Sequence, residues 1–177
     1  MKLETERIKL RSPEISDVDL LYKWENDCEL WPAGESFEPY SRFDIERYVM
    51  SEGDVYANKQ LRLMIDLKIA DGQKTIGTAD LFDFNPLHSR AGLGILIYPP
   101  DERRKGYAHE AMQLLIRYAF EGLLIKVLYC NVSANNEAGL RCVQKAGFEI
   151  CGLKKQWTAR ISGREDEYLL QILNENP

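Results

Sequence analysis

From Leu61 to Ile69 every odd position is apolar (Leu61, Leu63, Ile65, Leu67, Ile69) and the even positions are mostly polar. Alternation with a period of two marks a strand with one buried face, so a strand is predicted over 61–69, after which Asp71-Gly72 turns the chain. Ile76 to Phe84 is the next predicted strand, and Asn85-Pro86 interrupts it. Gly92 to Tyr98 is a continuous apolar run, which suits a strand covered on both faces. The three are expected to form an antiparallel meander. A different period governs 107–121: Ala108, Ala111, Met112, Leu115 and Ala119 fall at i, i+3, i+4, i+7 and i+11, the stripe of a helix that faces a core.

Before the meander, Arg7-Ile8-Lys9-Leu10-Arg11 alternates like a strand. Ser16 with Asp19 then opens a predicted helix carrying Val18, Leu21 and Tyr22. Ser41 with Asp44 repeats that capping pattern ahead of Ile45, Tyr48 and Val49. A Pro/Gly-punctuated loop from Trp31 to Tyr40 separates the two helices and is a candidate substrate wall. Beyond the long helix, Lys126 to Val132 is predicted as a strand, and Asn136 to Ala146 as a helix that Gly147 ends. From Phe148 two more strands follow, with a turn at Ser162-Gly163. The order β-α-α-β-β-β-α-β-α-β-β predicts an α/β fold: a mixed, mostly antiparallel sheet flanked by helices. With no repeat, linker or low-complexity tract, residues 1–177 are expected to form one domain.

A chain 45% hydrophobic and 29% charged has enough apolar surface for a packed core and is not a disordered one. The first residues are rich in charge, and no apolar run approaches the roughly 20 residues that span a bilayer, so no membrane association and a cytoplasmic location are expected. Cys28, Cys130, Cys142 and Cys151 lack the spacing of metal ligands and read as reduced packing residues. A net charge of −5 argues against a nucleic-acid partner. The acidity is concentrated: residues 1–60 hold 14 Asp/Glu against 8 Lys/Arg, and residues 61–177 hold 14 against 15. An acidic segment beside a site would attract a cationic substrate, although a solvated acidic surface would have the same composition.

The stretch richest in chemistry runs from the strand Gly94-Ile95-Leu96-Ile97-Tyr98 through Pro99-Pro100-Asp101-Glu102 to Arg103-Arg104-Lys105-Gly106-Tyr107-Ala108 and the long helix. Gly106 relieves the steric limits of the turn, and the first N–H groups of the helix have no internal partners. Those N–H groups, the positive end of the helix dipole and three cationic side chains suit a pyrophosphate. Taken alone, the turn also reads as a solvated basic turn ahead of a helix.

Arg103-x-x-Gly106-x-Ala108 resembles the Q/R-x-x-G-x-G/A motif of the GCN5-related N-acetyltransferases (GNAT). Asn136-Glu137-Ala138, followed by Lys145-x-Gly147-Phe148, resembles that family's second signature. Together the two cover about residues 75 to 150. The resemblance implies the acyl-CoA N-acyltransferase fold, acetyl-CoA as co-substrate and direct transfer of acetyl to a primary amine. It implies that Ile95, Leu96 and Ile97 offer backbone groups to the pantetheine arm, and that Arg103, Arg104, Lys105, Gly106, Tyr107 and Ala108 hold the pyrophosphate. Asn131 would stand at the end of a splayed strand, and Asn136 would contact the cofactor. No metal is implied.

Two branches of the family resemble this chain. Glu38-Pro39-Tyr40, Asp83-x-Asn85, His88-x-Arg90-Ala91 and Asn136-Glu137 are similar to the spermidine/spermine acetyltransferases, which implies acidic roles for Glu38 and Asp83 in binding a polyamine or relaying a proton. Without that resemblance, Asp83 reads as a turn cap and Glu38 as a surface charge. Gly152-Leu153, Ser162-Gly163-Arg164-x-Asp166 and Tyr168 are similar to the ribosomal-protein N-terminal acetyltransferases. The chain departs from the family at the proton donor: its usual tyrosine falls at Val143, and the serine of some members at Gly139. Cys142 and Tyr129 are the nearest alternatives and read primarily as core residues. The resemblance also implies a homodimer, and the missing donor leaves open a non-catalytic acyl-CoA sensor.

Overall fold

The computed structural model describes residues 2–27, 38–51, 54–160 and 163–175. Cys28, Ser162 and the wall loop up to Phe37 lie outside the described residues. The chain forms two compact units, residues 12–53 and the remainder. In the smaller unit, α1 (Val18–Glu25) buries Val18, Leu21 and Trp24, and α2 (Arg42–Ser51) buries Ile45 and Val49. The cap of α2 is as the sequence predicts: Ser41 Oγ accepts the Asp44 N–H at 3.1 Å and donates to its carboxylate at 2.6 Å. The other cap differs. A 3₁₀ turn over Ile15–Asp17 precedes α1, and Glu14 with Asp17 forms the capping box. Val18 and Leu21 face inward as expected, and Trp24 joins them in place of Tyr22, which is exposed.

The larger unit is built on a seven-stranded sheet in the order β1-β2-β3-β4-β5-β7-β6. Its strands are β1 (Ile8–Arg11), β2 (Leu61–Ile69), β3 (Gly72–Asn85), β4 (Arg90–Ile97), β5 (Val127–Ser133), β6 (Glu149–Arg160) and β7 (Gly163–Leu173). Every neighbouring pair is antiparallel except β4 and β5. A parallel pair needs a crossover, and α4 (Tyr107–Arg117) supplies it, packing on β1, β3 and β4. A π turn over Tyr118–Gly122 extends α4. A short α3 (Val55–Asn58), capped by Asp54, precedes β2, and α5 (Glu137–Lys145) joins β5 to β6.

One face of β4 enters the core: Ala91, Leu93 and Ile97 pack with Ala111, Met112 and Leu115 of α4. The expectation that both faces are covered fails at Gly94 and Leu96, which are only half-buried. The opposite face carries Gly92 and Gly94 ahead of Leu96. A Cβ on Gly92 would come within 2.2 Å of the Phe82 ring, so the absence of a side chain there lets Phe82 lie across the strand.

Candidate active site

β4 and β5 run together briefly and then part. Their register comprises Arg90↔Val127, Ala91↔Leu128 and Gly92↔Tyr129, while β4 stays paired to β3 as far as Ile97 and β5 to β7 as far as Ser133. The phase of each ladder decides which groups face the gap. Tyr98 N–H donates to Ile76 C=O at 3.0 Å, so Gly92, Gly94 and Leu96 turn their backbone groups to β3 while Leu93, Ile95 and Ile97 turn theirs toward β5. Likewise Ala134 N–H donates to Asp166 C=O at 2.9 Å, so Asn131 and Ser133 face β4. Past Gly92 and Tyr129 these groups look at one another across a widening slot. Such a slot suits an extended amide-bearing chain that pairs as a strand would. Leu96 differs from its expected role, because its backbone groups face β3. Leu93 and Ile95 occupy the slot edge, and the Ile97 carbonyl accepts Arg103 Nε at 2.8 Å.

Beyond β4 the chain makes a 3₁₀ turn over Pro100–Glu102 and reaches the basic stretch. Arg103 holds the backbone, its Nη2 donating to Tyr98 C=O at 2.9 Å. Arg104 has φ 63 and Gly106 φ 90, left-handed conformations that gather successive N–H groups into a concavity suited to anions. The Arg104 side chain is exposed. Lys105 is engaged with the buried Glu102 at 2.8 Å, which also binds Lys74 at 2.7 Å. The Lys105 hydrogen bond, then that of Lys74, holds the Glu102 carboxyl below its usual range, and Glu102 in turn raises both lysines. The first bond inside α4 is Glu110 N–H to Gly106 C=O at 3.1 Å, so the N–H groups of Tyr107, Ala108 and His109 precede it and face the turn. Backbone N–H groups and the exposed Arg104 side chain are thus the cationic and donor groups at this turn, while Arg103 bonds the end of β4 and Lys105 bonds Glu102.

At the point where the strands part, the Tyr129 hydroxyl donates to Asp83 Oδ2 at 2.8 Å. Asp83 sits at a break in the β3–β4 register with φ 49, and the bulge re-aims its side chain. The Phe82 ring meets Tyr129 edge-on, with centroids 5.8 Å apart. Asp83 and Tyr129 line a cleft of about 850 Å³ with Lys59, Arg90, Cys151 and Gln171.

The other expected residues are placed as follows. Asn131 Oδ1 accepts Lys154 Nζ at 2.9 Å, so it is the backbone of Asn131 that faces the slot. Asn136 caps α5, its Oδ1 accepting Gly139 N–H at 2.9 Å. Val143 is a core residue and Cys142 is half-buried, its thiol pushed up by burial. Glu38 is exposed in the smaller unit. Tyr129, read from sequence primarily as a core residue, is half-buried with its hydroxyl on a carboxylate. Arg7, around which the alternation indicates only a strand, extends its side chain to Lys105 C=O and Glu110 at the start of α4.

The slot, the anion turn and the acid–hydroxyl pair where the strands part fit a thioester carried on a pantetheine arm and a pyrophosphate. Residues 7–149 match the acetyltransferase (GNAT) domain. The chain belongs to that family, and it is an N-acetyltransferase with acetyl-CoA as co-substrate. Spermidine N(1)-acetyltransferase of Vibrio cholerae is 25% identical over 143 residues, 80% of this chain and 79% of the relative. The probable N-acetyltransferase YjcK of Bacillus subtilis is 29% identical over 183 residues, 97% of each chain. In fold, the chain is similar to the crystal structure of Vibrio cholerae spermidine N-acetyltransferase in complex with CoA and spermine, at TM-score 0.78 and 24% identity over 96% of both chains.

Proposed function

We propose that the protein acetylates a small cationic primary amine of the polyamine class, with Asp83 and Tyr129 at the acceptor end of the site. The observation that carries this reading is the Tyr129–Asp83 hydrogen bond at the last paired residues of β4 and β5. The Vibrio cholerae relative named for spermidine and the acidic first third of the chain support the polyamine class. Acetyl-CoA supplies the acetyl group as a thioester, which a neutral amine attacks without a covalent enzyme intermediate. An alkyl ammonium has a pKa of about 10.4 in water, so it must lose a proton before it can attack. In this reading the Asp83 carboxylate attracts the ammonium and takes that proton through the Tyr129 hydroxyl, whose hydrogen bond to Asp83 supports the relay. Ile95 N–H, at the slot edge, is the candidate donor to the developing oxyanion. A homodimer in the cytoplasm completes the reading.

A second reading has its own observation. Lys59 and Arg90 line the same cleft as Asp83, and both are exposed. Cations beside the acidic group favour an acceptor that carries a carboxylate as well as its amine, as a peptide with an acidic side chain near its N-terminus does. Asp83→Asn separates the two. Under the polyamine reading it raises KM for spermidine more than KM for a short monoamine; equal rises would show that Asp83 does not select for the length of a polycation.

A further inference from the structure

We propose that Arg7, at the foot of β1, is a positioning residue for the cofactor turn. The inference rests on reading that turn as the pyrophosphate site. One guanidinium makes three kinds of contact with the start of α4. Its Nη1 donates to Lys105 C=O at 3.1 Å, its Nε donates to Glu110 Oε1 at 2.7 Å with Nη2 bonding the same oxygen, and its plane lies 4.8 Å from the centre of the Tyr107 ring. A Cβ on Gly106 would lie 3.2 Å from Nη2, so the guanidinium flanks the left-handed residue itself. Three successive residues of the turn, Lys105 to Tyr107, are thus held from one side by a side chain that begins 98 residues away in sequence.

The base of this clamp is fixed. Lys68 N–H donates to Arg7 C=O at 2.8 Å, which ties the foot of β1 to β2, and Thr5 Oγ1 donates to the other Glu110 oxygen at 2.7 Å. Charge gives the arrangement a second role. Glu110 is a carboxylate in the first turn of α4, close to where a pyrophosphate would sit, and like charges at such a distance oppose binding. Arg7 neutralises it. The Arg7 side chain is 48% exposed, and exposed ion pairs contribute little to folding stability. Its effect therefore falls on the cofactor.

The test is calorimetric binding of CoA and of pantetheine, which lacks the pyrophosphate, to the wild type, Arg7→Ala and Arg7→Lys, with melting temperatures measured alongside. Arg7→Ala is expected to weaken CoA about tenfold or more, equivalent to about 1.4 kcal/mol, to leave pantetheine unchanged and to melt within a few degrees of wild type. Arg7→Lys falls between, since an ammonium can neutralise Glu110 but lacks the fork that also reaches Lys105 C=O. Unchanged CoA affinity in Arg7→Ala, or equal losses for both ligands, overturns the proposal. Wild type binding CoA no better than pantetheine would overturn the pyrophosphate reading beneath it.

Discussion

The Tyr129 hydroxyl and the Asp83 carboxylate meet across 2.8 Å beside Gly92, the last residue of β4 that pairs with β5. The bond joins the bulge of β3 to the register position from which the slot opens, and the proposed proton relay runs through it. Tyr129→Phe removes that relay and keeps the ring against Phe82. General acid–base catalysis contributes roughly 100-fold or more, so kcat is expected to fall by about that factor with KM for acetyl-CoA unchanged. Steady-state kinetics at saturating acetyl-CoA reads this directly. Wild-type kcat in the variant would assign Tyr129 to packing alone.

Gly106→Glu places a side chain at φ 90, beside Arg7, and adds a negative charge to the anion turn. CoA binding is expected to disappear, while the far-ultraviolet circular dichroism of the sheet and helices is retained. Titration calorimetry at unchanged affinity would remove the turn from the cofactor site.

The Glu102 cluster sets a pH dependence of stability. The Glu102 carboxyl is held below its usual 4.5 by Lys105 and Lys74. A carboxyl depressed in the folded state stabilises above its unfolded pKa, and that contribution is lost as the pH falls below 4.5 through the folded value. Lys74 and Lys105 are raised above 10.5, so their contribution is present below 10.5 and is lost as the pH rises beyond it. Glu102→Gln removes both effects. Its melting temperature should lie below wild type at neutral pH and vary less with pH at the acid and alkaline limits; parallel profiles would mean that the cluster does not couple to folding.

Most of the fold is legible in the sequence because the periods are clean. The alternation from Leu61 to Ile69 gives the bounds of β2, although Met64 and Asp66 bury its other face as well and Ile69 is exposed, and the stripe from Ala108 to Ala119 matches α4 and its π extension. Local chemistry misleads at the first helix: Ser16, read as its cap, lies inside a 3₁₀ turn that Glu14 and Asp17 bracket. The apolar run of β4 hides a face made largely of glycine, because composition does not distinguish a covered strand from one that a neighbouring ring crosses. The anion turn was readable as a motif, but the tasks of its side chains were not. Lys105 is engaged with Glu102 and Arg103 with the end of β4, both through contacts that depend on how the turn folds back. Arg7 and Tyr129 are further examples. Their partners, Glu110 and Asp83, lie 103 and 46 residues away, and only the sheet order brings them together.

The most direct test is the release of free CoA thiol from acetyl-CoA across a panel of spermidine, spermine, short diamines, peptides with free N-termini and aminoglycosides. The highest kcat/KM is expected with the polyamines. Turnover confined to peptides would contradict the polyamine assignment and favour the reading in which Lys59 and Arg90 meet an acceptor carboxylate, and silence across the panel with tight CoA binding would contradict the proposed acceptor site altogether.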